Sequence, residues 1–130
     1  MKGTILVVED EPDLMLTFRI VLQTAGYVVI KASTGEDALS AIETVVPDAV
    51  ILDLRLPGID GWQVLAAIRR VDLFRNTPIV IASANAEAGE RLRAEQLGCA
   101  EMLTKPFSAE ELRGTLDRVL TGTGRLQNSR

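Results

Sequence analysis

Residues 4–10 read Thr4-Ile5-Leu6-Val7-Val8-Glu9-Asp10, a short run of β-favouring side chains that ends abruptly in two carboxylates. A run this short and this continuously apolar fits a strand covered on both faces. Four further β-branched runs follow, over residues 27–31, 49–52, 79–82 and 101–104. Four of the five runs are nearly continuous in apolar character. That pattern favours a parallel sheet sheathed by helices over an antiparallel sandwich, whose strands alternate apolar with polar.

The segments between the runs carry helical stripes. After the first, Leu14, Phe18, Val21, Leu22 and Ala25 share one face, with Pro12 suited to the first turn and Gly26 to the C-terminal cap. Ala38, Ile42 and Val45 follow the second, with Thr34 and Asp37 spaced as a capping box. Val64, Leu65, Ile68 and Val71 mark a third helix that starts near Asp60, beyond the Pro57-Gly58 turn. Ala88, Leu92 and Leu97 mark a fourth, ending at Gly98. Its stripe is the thinnest and it carries Gly89, so it is expected to be the most loosely held. Ser108 and Glu111 form a capping box ahead of Leu112, Leu116, Val119 and Leu120. Five β-α units with right-handed crossovers predict an open, doubly wound α/β fold, for which 2-1-3-4-5 is one of the commoner strand orders. Residues 121–130, rich in Thr, Gly, Asn and Ser, read as a polar tail or the stub of a linker.

Composition narrows the chemistry. The 130 residues suit one compact domain, and 47% hydrophobic with 25% charged is ordinary for a soluble globular chain. With no His, zinc sites built on imidazole and Ser-His-Asp or Cys-His catalysis are excluded, as is a phosphohistidine relay within the chain. A net charge of −4 argues against direct nucleic-acid binding. The lone Cys99 makes no internal disulfide, and no apolar stretch suits a signal peptide or membrane insertion. The expected location is the cytoplasm.

In an open parallel sheet, ligands bind beyond the carboxyl ends of the strands. There this chain places Glu9-Asp10, Asp53, Ser83 and Lys105. Three carboxylates in one shallow cleft raise one another's pKa unless a cation offsets the repulsion, and Mg²⁺ suits few carboxylates with retained waters. A lysine and a hydroxyl at the rim would hold an anion against the metal.

Four motifs carry a resemblance to a known family: Val7-Val8-Glu9-Asp10-Glu11, Asp53-Leu54-Arg55-Leu56-Pro57-Gly58-Ile59-Asp60-Gly61, Ile81-Ala82-Ser83-Ala84 and Leu103-Thr104-Lys105-Pro106-Phe107. In this order the chain resembles the receiver domain of two-component response regulators, the CheY-like family, over about residues 5–120. The resemblance implies a (βα)5 flavodoxin-like sandwich of strand order 2-1-3-4-5, with residues 1–120 as receiver. It implies Asp53 as phosphoacceptor, Asp10 and Asp53 as Mg²⁺ ligands, Glu9 acting through metal-bound water, and the backbone carbonyl of Arg55 as a further ligand. Ser83 would bond the phosphoryl group and Lys105 would pair with it. Lys105-Pro106 is similar to the family's cis peptide.

Three positions bear on how far the common pattern carries over. Met102 stands where many receivers carry Tyr or Phe, so the aromatic part of the usual switch is missing at that position. Arg55 and Asn85 take the variable rim positions. The implied function is a phosphorylation-dependent signalling receiver, catalysing only its own phosphorylation and dephosphorylation. Its donor would be a sensor histidine kinase or a histidine phosphotransfer protein. Its target would be a downstream protein docking on the face of the fourth helix, fifth strand and fifth helix, the switch running through Ser83, Met102, Lys105 and Pro106. A receiver-like interaction module that works without phosphorylation is the alternative. A haloacid-dehalogenase-type phosphatase would need Asp where Arg55 stands. An FMN protein would need a hydroxyl- and Gly-rich loop where Glu9-Asp10-Glu11 stands.

Overall fold

Each apolar run becomes a strand, and each striped segment contains a helix, some of them shorter than the stripe. The order is β1 (Gly3–Val8), α1 (Pro12–Thr24), β2 (Tyr27–Ala32), α2 (Gly35–Ala41), β3 (Ala49–Asp53), α3 (Gly61–Arg69), β4 (Ile79–Ser83), α4 (Ala88–Gln96), β5 (Glu101–Thr104) and α5 (Ala109–Leu120). The computed structural model describes residues 2–84 and 87–126. The strands form one parallel sheet in the order β2-β1-β3-β4-β5. This is the doubly wound, flavodoxin-like arrangement with a strand-order reversal between β1 and β3.

Side chains alternate across a strand, so each strand feeds two cores. Ile5, Val7, Ile51, Val80 and Ala82 pack under α1 and α5, against Phe18, Leu22, Leu112 and Leu116. Leu6, Val8, Val50, Leu52, Ile79 and Ile81 pack under α2, α3 and α4, against Ala38, Val64, Leu65, Ile68 and Ala94. Burial on both faces is the reason β1, β3 and β4 carry unbroken apolar runs.

The caps explain where the helices begin. Ser108 and Glu111 exchange side-chain to backbone bonds of 3.0 and 3.1 Å, the expected box. Asp60 forms a second box with Gln63, at 2.9 Å in both directions. At α2 the expected box forms on one side only, Thr34 Oγ1 accepting from the Asp37 N–H at 3.0 Å. That helix stops at Ala41, short of Ile42 and Val45, where the chain turns ahead of Pro47. The third helix likewise ends before Val71, which is 40% exposed. A 3-10 turn at Asp72–Phe74 follows and buries Phe74 in Val71's stead.

In α4, Leu92 is 56% exposed and Ala94 is the one buried side chain, consistent with the thin stripe. A Cβ at Gly89 would meet nothing within 4 Å. Gly89→Ala is therefore expected to stabilise the chain by about 0.5 kcal/mol, the lower figure because the site lies in the first turn. A rise in the urea midpoint at unchanged slope would show it, whereas a fall would mean that α4 needs Gly there.

At the opposite end of the sheet from the strand-end carboxylates, Arg69 spans two connections. Its Nη1 donates to the carbonyls of Phe74 at 2.7 Å and Thr77 at 2.9 Å, and its Nη2 to that of Gly98 at 3.0 Å. After α5 the chain folds back across residues 121–126. The Leu126 N–H bonds the Ala100 carbonyl at 3.0 Å and its side chain packs on the α2–α4 core, so this part of the expected tail is held against β5. Residues 127–130 of that tail lie outside the described residues. Among the described residues no helix is long and apolar enough to cross a membrane.

Candidate functional site

Pairing between β1 and β3 aligns Val8 with Leu52, so Glu9 and Asp53 emerge side by side at the carboxyl edge. Asp53 aligns with Ala82 on β4, which sets Ser83 one residue further along beside it. Ser83 in turn aligns with Thr104, and the Lys105 N–H bonds the Ser83 carbonyl at 2.8 Å. Register alone thus brings Glu9, Asp53, Ser83 and Lys105 into one cleft.

The side chains close the arrangement. Lys105 Nζ lies 3.0 Å from Glu9 Oε1 and 3.2 Å from Asp53 Oδ2. The other oxygen of each carboxylate takes a backbone donor: Glu9 Oε2 accepts from the Glu11 N–H at 3.1 Å, and Asp53 Oδ1 from the Arg55 N–H at 3.0 Å. Both carboxylates are buried, while Asp10 is exposed. Burial pushes the Glu9 carboxyl above its ordinary value, against the pull of the Glu11 N–H and Lys105. Burial alone would lower Lys105, but Glu9 and Asp53 outweigh it and hold the ammonium above the usual lysine value. Lys105 is a fixed cation here.

Glu9, Asp10 and Asp53 each offer a carboxylate oxygen, and these oxygens lie within 4.8 Å of one another. An all-oxygen, three-carboxylate group open on the Asp10 side suits a hard divalent ion that keeps part of its water shell. The Lys105–Pro106 peptide is cis. Arg55, exposed, is held beside Asp53 through its own N–H. Met102 is buried on the α2–α4 side of the sheet. Trp62, read as packing, rests partly buried on the same core with Arg93 stacked 4.3 Å from its ring centre. Asn85 lies outside the described residues. Cys99 is buried, which pushes its thiol up to about 12 and keeps it protonated near neutral pH.

Two residues of the site are not evident from the strand ends. Gly61, the first residue of α3, lies so close to β3 that a Cβ would sit 2.4 Å from the Asp53 carbonyl oxygen. Glu90, in the first turn of α4, accepts a 2.9 Å hydrogen bond from Ser83 Oγ through Oε1. Its signal in the sequence is slight, a lone acid seven residues after Ser83.

Known proteins agree with this geometry. The family model described as the response regulator receiver domain matches residues 5–117. The alkaline phosphatase synthesis transcriptional regulatory protein PhoP of Bacillus subtilis is 37% identical over 120 residues, covering 92% of this chain and 49% of that protein. The chain therefore spans about half the length of such curated relatives. Among solved structures, the chemotaxis response regulator CheY4 of Vibrio cholerae is 29% identical with a TM-score of 0.86, covering 90% of this chain and 98% of that one. The receiver domain of the sensor histidine kinase PA1611 of Pseudomonas aeruginosa PAO1 is 34% identical with a TM-score of 0.84, covering 92% and 98%. That structure holds a magnesium ion in its active site cleft. A match over nearly the whole sheet, with acid, hydroxyl and lysine at the strand ends that position them, places the chain in the response regulator receiver domain family, a signalling domain of phosphorylation-dependent two-component systems.

Proposed function

We propose that Asp53 is the phosphoacceptor of this receiver, with Lys105 and Ser83 as the groups that recognise the transferred phosphoryl. The observation that carries the reading is Lys105 Nζ, bonded at once to Asp53 and Glu9 in the cleft at the carboxyl ends of β1 and β3. A carboxylate held by a cation on one oxygen and by a backbone N–H on the other is oriented before any donor arrives, which favours in-line attack. An Asp53 oxygen forms the new bond to phosphorus while the donor's phosphorus–nitrogen bond breaks, and the departing imidazole keeps that electron pair and takes up a proton. Lys105 follows the charge from the carboxylate to the phosphoryl oxygens, and the Ser83 hydroxyl is a donor to the same group.

Glu9, Asp10 and Asp53, with the carbonyl of Arg55, would hold Mg²⁺. Bound there, the ion supplies neutralisation of negative charge on the phosphoryl oxygens. The same cleft admits water to the acyl phosphate, so the chain catalyses its own dephosphorylation as well as its phosphorylation. The donor is a histidine kinase or histidine phosphotransfer protein, and the output is a protein contact on the α4–β5–α5 face. Residues 1–120 constitute the receiver. Met102 fills the position of the usual switching aromatic and moves with β5 rather than swinging as a ring; Pro106 fixes the direction of Lys105.

Intact-protein mass after incubation with acetyl phosphate tests this. We expect the gain of one phosphoryl group with Mg²⁺, and no gain with EDTA or in Asp53→Asn. Full labelling of the variant would remove Asp53 from the role. No labelling of the unsubstituted chain, beside a control receiver that labels with the same donor, would favour an interaction module independent of phosphorylation.

A further inference from the structure

Ser83 Oγ is the donor of the 2.9 Å bond to Glu90 Oε1, and a serine hydroxyl has a single proton to give. Asp53, beside it in the sheet, is where the phosphoryl oxygens would arrive. Both candidate acceptors are anionic, and neither has a proton of its own to offer the other. We infer that Glu90 is a positioning residue that competes with the phosphoryl group for the Ser83 hydroxyl, so that phosphorylation releases the first turn of α4 from β4. The inference rests on the reading of Asp53 as acceptor.

Two features make this competition consequential. Glu90 belongs to α4, whose only buried side chain is Ala94, so few packing contacts replace the Ser83 bond when it is lost. Glu90 is itself half-buried, which strengthens a charge-assisted bond relative to one in open water. In the unphosphorylated chain this bond holds the hydroxyl on α4. In the phosphorylated chain the hydroxyl donates its hydrogen bond to a phosphoryl oxygen instead, and the Glu90 carboxylate, now facing a second anion, is repelled. Glu90 therefore lowers affinity for the phosphoryl group and couples α4 to its presence.

The test uses beryllofluoride with Mg²⁺ as a phosphoryl mimic, titrated by calorimetry into the full chain. Glu90→Ala is expected to tighten binding about tenfold, the worth of one hydrogen bond to a charged group. Glu90→Gln keeps a neutral acceptor and should tighten it less. In a Ser83→Ala background the difference between Glu90 and its Ala variant should shrink to the small effect of removing a nearby negative charge. Equal tightening in both backgrounds would overturn the competition and leave only long-range charge. Unchanged affinity in Glu90→Ala would overturn it as well. Absence of Mg²⁺-dependent binding by the unsubstituted chain would instead overturn the acceptor reading, and this inference with it.

Discussion

Lys105→Ala is expected to lower the stability of the metal-free chain by about 3 kcal/mol, because it strands two buried carboxylates without their shared cation. The side chains of Glu9 and Asp53 are 1% and 7% exposed, so water replaces little of the lost interaction. An exposed ion pair such as Arg75–Asp72 would cost less than about 1 kcal/mol on the same substitution. The deficit has a second signature. Added Mg²⁺ should stabilise the variant more than the unsubstituted chain, since the ion and the ammonium neutralise the same carboxylates. Urea unfolding with and without Mg²⁺ checks both expectations. Equal stabilisation of the two proteins would show that lysine and metal do not share those oxygens.

Gly61→Ala should cost about 3 kcal/mol and also weaken phosphoryl uptake. The added Cβ would lie 2.4 Å from the Asp53 carbonyl oxygen and 2.6 Å from Leu54 Cα, so what must yield is backbone. It is the backbone that carries the acceptor: the Gly61 N–H bonds the Leu54 carbonyl at 3.0 Å, and relief of the clash pushes α3 away from the end of β3. Gly35 provides a contrast. There a Cβ would approach Ile59 and Val64 at 2.4–2.8 Å, but the obstructing atoms are side-chain methyl and methylene groups, which can rotate. Gly35→Ala should therefore leave labelling near normal, while Gly61→Ala impairs it in the fraction that remains folded. Thermal melts paired with intact-mass labelling separate the two; normal labelling of a stable Gly61→Ala chain would show that β3 tolerates displacement.

The strands and their terminal chemistry were legible because both are local. Continuous apolar runs announce burial on two faces, and parallel register then carries Glu9, Asp53, Ser83 and Lys105 to one edge without further information. The helix faces were less so. Val71 and Leu92 continue an apolar spacing yet lie exposed, since helical periodicity says which residues share a face and not whether anything covers it. Phe74, buried by a single turn, has no periodic partners to announce it. Leu126 is one apolar residue in a polar segment, and its place on β5 depends on a bond to Ala100 far away in sequence. Glu90 was barely legible for the same reason. Its partner is fixed by how α4 lies over β4, a tertiary relation that the spacing of acids along the chain does not encode.

The three carbonyl bonds of Arg69 have a mechanical meaning. One of them fastens Gly98, immediately beyond the last residues of α4, to the base of the molecule. The C-terminal half of the helix is thus held by this bond, by buried Ala94 and by Arg93 stacked on Trp62, whereas its first turn is tethered to Ser83 through Glu90. Five residues, Ala88 to Leu92, lie beyond those holds, an arm of roughly 7 Å at 1.5 Å each. A partner reading that first turn would sense the loss of a single hydrogen bond, whereas one gripping the held half would sense little of it.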